Sequence, residues 1–323
     1  MSFLEKYQNI ISQSINNFIP DGEPSELYEP MKYILHLGGK RLRPVILLMA
    51  YNLFREDIEK AIKPALGIEF FHNFSLIHDD IMDQAPLRRN KKTVHVKYNE
   101  NTAILSGDAL FVKSFQMLED LEPSLFKPCF ELFSKTALEV CEGQQYDMNF
   151  ETRKEISFEE YIHMITGKTA VLCACAIKMG AIIAKTDKEN SDNLYEFGKY
   201  LGIAFQLMDD YLDVFGNERM VGKKHAGDIY ENKKTILFFL ALKRGDEKQI
   251  EKLNYWFSIK DDSDTKVNEV INIFKELEVD KMCLELVDSY TNQAKEYLNK
   301  VKVSSEKKQS FFELIDYLLL RES

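Results

Sequence analysis

Residues 67–83 read GIEFFHNFSLIHDDIMD. They end a stretch, Ile58 to Met82, that is apolar on most of its sides, with Pro64 early in it. A helix that is apolar all round belongs in the centre of a fold rather than at its surface. This one finishes on three aspartates, Asp79, Asp80 and Asp83. The same arrangement returns at 205–213, FQLMDDYLD, with Asp209, Asp210 and Asp213. Two copies of DDxxD, each closing a buried-type helix, organise the reading of the rest of the chain.

Positions i and i+4 share a helix face. Asp79 with Asp83, and Asp209 with Asp213, therefore each aim two carboxylates at one point. Pairs of hard oxygen ligands without His or Cys suit Mg2+, which completes its shell with water and substrate phosphates. Pro86 closely follows the first cluster and Gly216 the second, so both lie at helix C-termini. Carboxylates there oppose the helix dipole and repel one another, and folding alone favours Lys or Arg. A bound cation would compensate. One DDxxD in an acidic chain reads more simply as a solvated turn; two, both after buried-type helices, favour the metal. No DxDxDG loop with a terminal Glu supports an EF-hand.

Working outward, the 323 residues include only 14 Gly and 8 Pro, with abundant Leu, Ile, Lys, Glu and Ala, which predicts an all-α protein. Helical spacing runs through 3–18, 25–37, the segment after Pro44, and 103–150 with a break near Pro123. It resumes at 158–185, 191–215, 232–244, 247–257, 265–276, 280–300 and 307–321. Residues 86–100 are polar and basic and read as a loop, and 258–266 (SIKDDSDTK) as a surface turn. Without strand alternation, linker or repeat, one helical domain over 1–323 is expected. The net charge of -10 argues against polynucleotide partners. Five Cys at 129, 141, 173, 175 and 283, none with zinc-site spacing, read as buried free thiols in a reducing cytoplasm. No signal-peptide core and no apolar run of spanning length is apparent, so a soluble protein without a membrane span is expected.

An acidic metal site needs an anionic ligand and cations around it. GGKRLRP supplies Lys40, Arg41 and Arg43 behind Gly38 and Gly39, which let backbone approach closely. APLRRN adds Arg88 and Arg89, which point in different directions and so can serve two ligands. Gly167-Lys168-Thr169 interrupts an apolar helix, and a Lys there either snorkels to the surface or meets a phosphate. Lys223 and Lys233 follow the second cluster. His72 lies two turns before Asp79 on the same face, and His78 adjoins it. Each basic group taken alone also reads as a solvated loop or a core His.

Together these residues resemble the trans-isoprenyl diphosphate synthase family, the farnesyl, geranylgeranyl and longer polyprenyl diphosphate synthases. The match runs in order from GGKRLRP through FHNFSLIHDDIMD, LRR, LSGDAL, GQQYDM, GKTA and FQLMDDYLD to GKKHAGDIYENKKT, spanning about 38–235. The resemblance implies an all-α isoprenoid-synthase bundle around a central cavity, usually a homodimer. It implies that Asp79, Asp83 and Asp209 bind Mg2+, about three ions per site, with Asp80, Asp210 and Asp213 supporting. Arg88, Lys168 and Lys223 would contact the allylic diphosphate, with Lys233 nearby. Lys40, Arg43, His72 and Arg89 would hold isopentenyl diphosphate, and Thr169 and Gln206 would line the reacting centre. The implied chemistry is loss of diphosphate from the allylic substrate, attack by the double bond of isopentenyl diphosphate, and loss of a proton to the departing diphosphate. It needs no nucleophilic side chain.

Product length is expected to depend on Phe71, Phe74 and Ser75, which lie one to two turns before Asp79 and would floor the cavity. An aromatic five residues before the motif goes with C15 or C20 products in the family, and the two-residue insertion common in bacterial farnesyl synthases is missing. Asn90 stands where the family often has Gly. A terpene cyclase would need neither GGKRLRP, Arg89 nor a second DDxxD. A long-chain synthase needs a small residue in place of Phe74, and a non-catalytic subunit would lose metal ligands that are complete here.

Overall fold

Leu, Ile, Phe and Ala dominate the run after Pro64, which holds a single Gly, and in the computed structural model it lies in a 24-residue helix, α4 (Glu59–Met82). The structure describes residues 3–153, 155–216, 225–261 and 263–319. Before α4 come α1 (Phe3–Phe18), α2 (Ser25–His36) and α3 (Leu42–Asn52). After it come α5 (Val94–Lys97), α6 (Glu100–Gln116), α7 (Pro123–Thr152) and α8 (Phe158–Ile165). A π-helical turn, Thr166–Ala170, joins α8 to α9 (Val171–Ile183). Then follow α10 (Lys188–Phe215), α11 (Gly227–Tyr230), α12 (Ile236–Arg244), α13 (Glu247–Ser258), α14 (Asp264–Glu276), α15 (Val279–Lys300) and α16 (Ser305–Leu319). The fold is all-α, as the composition predicts.

Two compact units form, each from separate stretches of chain: Met1–Lys135, Cys175–Leu194 and Val303–Ser310 in the first, and Thr136–Ala174, Tyr195–Lys302 and Phe311–Ser323 in the second. In the first unit α4 is central. Leu66, Ile68, Phe70, Phe71 and Ile77 are fully buried, so apolar surface leaves water on every side of the helix. Gly67 lets the backbones of α4 and α6 approach closely: a Cβ there would sit 2.7 Å from the Ser114 carbonyl oxygen. The second unit packs the later half of α10 with α8, α12, α14 and α15 through Tyr161, Leu207, Leu237, Phe274 and Cys283. Capping boxes start α8 (Ser157, Glu160) and α13 (Asp246, Gln249), satisfying donors the first turn leaves open.

Several expectations are corrected. Residues 86–100 are not all loop: Leu87–Arg88 and Lys91–Lys92 pair antiparallel, and α5 follows. Two-residue strands are too short to show alternation. The connecting Arg89 and Asn90 have φ of 52° and 60°, the geometry of a tight hairpin turn, and Asn tolerates it where Gly is common. The stretch 258–266 is not wholly surface, since Lys266 in α14 is fully buried with Nζ donating to Asn232 Oδ1 at 2.6 Å. Cys141 is exposed, whereas the other four thiols are buried, and all five are free. Among the described residues one helical run is long and apolar enough to cross a membrane, Phe158–Ile183, and two-thirds of it is buried inside the protein. It is a core segment, and Lys168 interrupts it.

Candidate active site

The first cluster closes α4. Asp83 caps the helix, its N–H donating to the Asp79 carbonyl at 2.8 Å, and its side chain is exposed. Asp79 is half-buried, whereas Asp80 is buried. Asp80 is held by a guanidinium fork: Arg88 Nε lies 2.9 and 2.8 Å from its two oxygens and Nη2 lies 2.7 Å from Oδ1. Burial pushes the Asp80 carboxyl up, and Arg88 pulls it back. The short hairpin carries Arg88 to this position.

The basic residues of the first unit gather beside this helix end. Arg43 Nη1 lies 3.1 Å from His72 Nε2. Burial, then Arg43, Arg89, Arg88 and Arg41, hold His72 well below the usual imidazole range, so it is neutral and Nε2 accepts from Arg43. Arg89 donates to the Gly38 carbonyl, next to the exposed Lys40. Its guanidinium fills the space a Cβ on Gly39 would need, and Gly39 has φ 115°. Burial, and then Arg41, push Arg89 down. Arg43, His72 and Arg89 are thus brought together in surroundings rich in positive charge, which an anion would relieve, and Lys40 follows the two glycines that Arg89 touches. Arg41 is different. It is buried, pairs with Glu69 at 2.5 Å and also donates to the Leu35 carbonyl, while Asn73 Nδ2 donates to Glu69 at 2.8 Å. It braces the loop rather than facing a ligand.

Below the motif the wall is aromatic. Phe74 lies 4.8 Å from His78, 5.0 Å from Phe111 and 5.4 Å from Phe71, and Phe71 lies 5.5 Å from Phe133. The Ser75 hydroxyl is returned to the His72 carbonyl at 2.9 Å. Phe111 and Phe133, from α6 and α7, were not singled out from the sequence, because their spacing resembles any core stripe. A cavity of about 660 Å³ lies at the opposite, N-terminal end of α4. Three of its lysines are paired, Lys60 with Asp57, Lys63 with Asp120 and Lys185 with Glu122.

The second cluster has the same division of labour. Asp209 and Asp213 are half-buried and Asp210 is buried. The Tyr161 hydroxyl and, at 3.3 Å, the Ile236 N–H donate to Asp210 Oδ2, and Gln206 Nε2 donates to Oδ1 at 3.0 Å. Burial first, and then Asp228, push this carboxyl up to about 7 against those donors. Asp213 accepts from the Asp228 N–H at 3.1 Å, and its carbonyl accepts from the Ala226 N–H at 2.8 Å. The Thr169 hydroxyl donates to Gln206 Oε1 at 3.1 Å. Lys168 Nζ donates to Asp147 Oδ2 at 2.5 Å. The π turn that presents Lys168 and Thr169 lies directly on the backbone of α7, where a Cβ on Gly143 would overlap the Lys168 amide. Such turns are frequent at functional sites. Lys233 is exposed, with its N–H on the Asp228 carbonyl at 2.8 Å. Lys223 lies outside the described residues. Tyr161, Asp147 and Asp228 were not named from the sequence as site residues, although Asp147 and Asp228 lie in segments quoted for the resemblance.

Among the described residues no three His, Cys, Asp or Glu side chains gather into a cage for an ion. The donors present are carboxylate pairs one turn apart, which fits Mg2+ held by few protein ligands and completed by phosphate and water.

The family model for polyprenyl synthetase matches residues 24–274. A geranylgeranyl diphosphate synthase of Methanosarcina mazei is 35% identical over 314 residues, 97% of this chain and 95% of that protein. A geranylfarnesyl diphosphate synthase of Natronomonas pharaonis is 33% identical over 339 residues, 99% of this chain and 97% of that protein. A crystal structure of a geranylgeranyl pyrophosphate synthase superposes with a TM-score of 0.95 at 40% identity, covering 100% of both chains. The chain belongs to the polyprenyl synthetase family.

Proposed function

We propose that this protein is a Mg2+-dependent trans-isoprenyl diphosphate synthase that joins isopentenyl diphosphate to an allylic diphosphate and releases a C15–C20 prenyl diphosphate. The observation that carries this reading is the paired arrangement of the two motifs. In each, the middle carboxylate is tied to protein donors while the flanking pair, Asp79 with Asp83 and Asp209 with Asp213, stays less buried at a helix end. Each pair would hold Mg2+ for the allylic diphosphate, and the chain would act as a single catalytic domain. Bound Mg2+ would neutralise the charge that develops on the leaving diphosphate.

The chain's own residues do the rest. Lys168, at present on Asp147, would contact the allylic diphosphate, as would Arg88 and Lys223, with Lys233 nearby. Lys40, Arg43, Arg89 and the neutral His72 hold isopentenyl diphosphate, so its double bond faces the allylic carbon. Thr169 and Gln206 border that carbon, and the phenyl walls keep water from the cation. Phe74 and Phe111 end the space for the growing tail.

The apolar residues that α6 leaves exposed, Ile104, Leu105 and Val112, with Phe126 and Phe130 of α7, support a homodimer. Five free thiols fit a reducing cytoplasm.

The test is incubation with isopentenyl diphosphate and C5, C10 or C15 allylic primers, with Mg2+ or with EDTA. The expected result is C15–C20 products, and none with EDTA. Consumption of the allylic substrate alone, by cyclisation or hydrolysis, would overturn the reading.

A further inference from the structure

Lys266 is fully buried in the first turn of α14. The helix dipole disfavours a cation there, and an ammonium taken out of water is costly unless polar groups receive it. Folding alone gives no reason for that charge in that place. Its Nζ donates to Asn232 Oδ1 at 2.6 Å and to the Ile259 carbonyl at 3.4 Å. Asn232 Nδ2 donates to the same carbonyl at 2.9 Å. An ammonium only donates and a carbonyl only accepts, so this triangle admits one orientation of the Asn232 carboxamide.

Asn232 lies just after α11 with φ 58°, a left-handed backbone that Asn adopts more readily than most residues. The residues around it are tied down alternately. The Tyr230 hydroxyl donates to Asp264 Oδ1 at 2.7 Å, and Lys234 Nζ donates to the Phe150 carbonyl at 3.3 Å and to the Arg153 carbonyl. Glu231 and Lys233, between these anchors, are exposed. The same turn reaches the second motif. The Lys233 N–H donates to the Asp228 carbonyl at 2.8 Å, and the Asp228 N–H donates to Asp213 Oδ2 at 3.1 Å.

We infer that Lys266 is a positioning residue: through Asn232 it holds the left-handed turn that carries Lys233, and so sets that cation in place for the allylic diphosphate. The inference rests on the reading that Lys233 serves that diphosphate. A charge helps most when it is already in position as substrate arrives, and a lysine on a loosely held turn spreads over many orientations. Of the three anchors, Asn232 is the one whose partner side chain lies wholly out of water, where solvent does not compete for the hydrogen bond.

The test measures kcat, both KM values and Tm in Lys266→Met, Lys233→Ala and their double. Lys266→Met is expected to raise KM for the allylic substrate about tenfold, with KM for isopentenyl diphosphate held within about twofold. Lys233→Ala should show the same split, and the double should be no worse than Lys233→Ala alone. An unmoved allylic KM in Lys233→Ala removes the reading of Lys233 and the inference with it. With the split present in Lys233→Ala, three results overturn the positioning role alone: a Lys266→Met that lowers only Tm, one that raises both KM values equally, or an additive double. Where Lys266→Met does not fold, Asn232→Gly takes its place, because Gly keeps the left-handed turn and removes the carboxamide that Lys266 holds. It should show the same split and the same lack of additivity with Lys233→Ala, and an unmoved allylic KM there overturns the inference.

Discussion

Successive residues on an α-helix point about 100° apart. That angle explains why the three aspartates of each motif meet different fates. Asp79 and Asp83 share a face, as do Asp209 and Asp213, while Asp80 and Asp210 turn inward to Arg88 and to Tyr161 and Gln206. The i, i+4 pairing was legible in the sequence. The inward partners were not, since Tyr161 and Asp210 are 49 residues apart and only the fold brings them together. The same holds for Arg41, which reads as one more loop cation and is in fact braced by Glu69, both side chains being almost fully buried. Glu69→Ala leaves that guanidinium buried and unpaired, so a loss of about 3–5 kcal/mol is expected in urea unfolding. Asp210 gives a pH signature. Its carboxyl stands at about 7 in the fold against an ordinary 3.8. Between those values the folded chain binds the extra proton, so its contribution to stability is full below the lower value and is lost as pH rises through about 7. The Tm of the wild type relative to Asp210→Asn should therefore fall between pH 5 and pH 8, and a constant difference would count against the burial of this group.

At the scale of elements, α4 ends in the Asp79–Asp83 pair and carries an aromatic cluster one to two turns before it, which the proposed function makes the floor of the site. Phe74 is wedged among His78, Phe111 and Phe71. Phe74→Ala should lengthen the product by one or more isoprene units, read by chromatography of the dephosphorylated prenols, and Phe111→Ala should extend it further in the double variant. Unchanged length in Phe74→Ala would remove this residue as the floor. The periodicity of α4 made its burial plain from sequence, but the contributions of α6 and α7 to that floor depend on packing that no local pattern reports. The π turn is a second case. Gly167-Lys168-Thr169 was readable as an interruption, but the helix continues through it into α9, and the seat on Gly143 was invisible because a glycine in mid-helix has many uses. Gly143→Ala would force the Lys168 backbone away. It should cost about 1–3 kcal/mol in stability and raise KM for the allylic substrate more than for isopentenyl diphosphate. Equal changes in both KM values would argue that the turn does not serve the allylic site.

At the scale of the whole molecule, one carboxylate pair belongs to each compact unit, and the basic cluster around Arg43 and His72 belongs to the first unit. The family membership follows from nearly the full length of the chain and not from the motifs alone. The exposed stripe on α6 predicts a second copy against it. Leu105→Asp with Val112→Asp should shift the mass in sedimentation from dimer to monomer, and an unchanged mass would exclude this face as the contact.

The most direct measurement is anomalous diffraction from crystals grown with Mn2+ in place of Mg2+ and an unreactive allylic thiolodiphosphate. The proposed function predicts manganese at Asp79 and Asp83 and at Asp209 and Asp213, together with bound diphosphate. Ions at one motif only, or at neither, would contradict it.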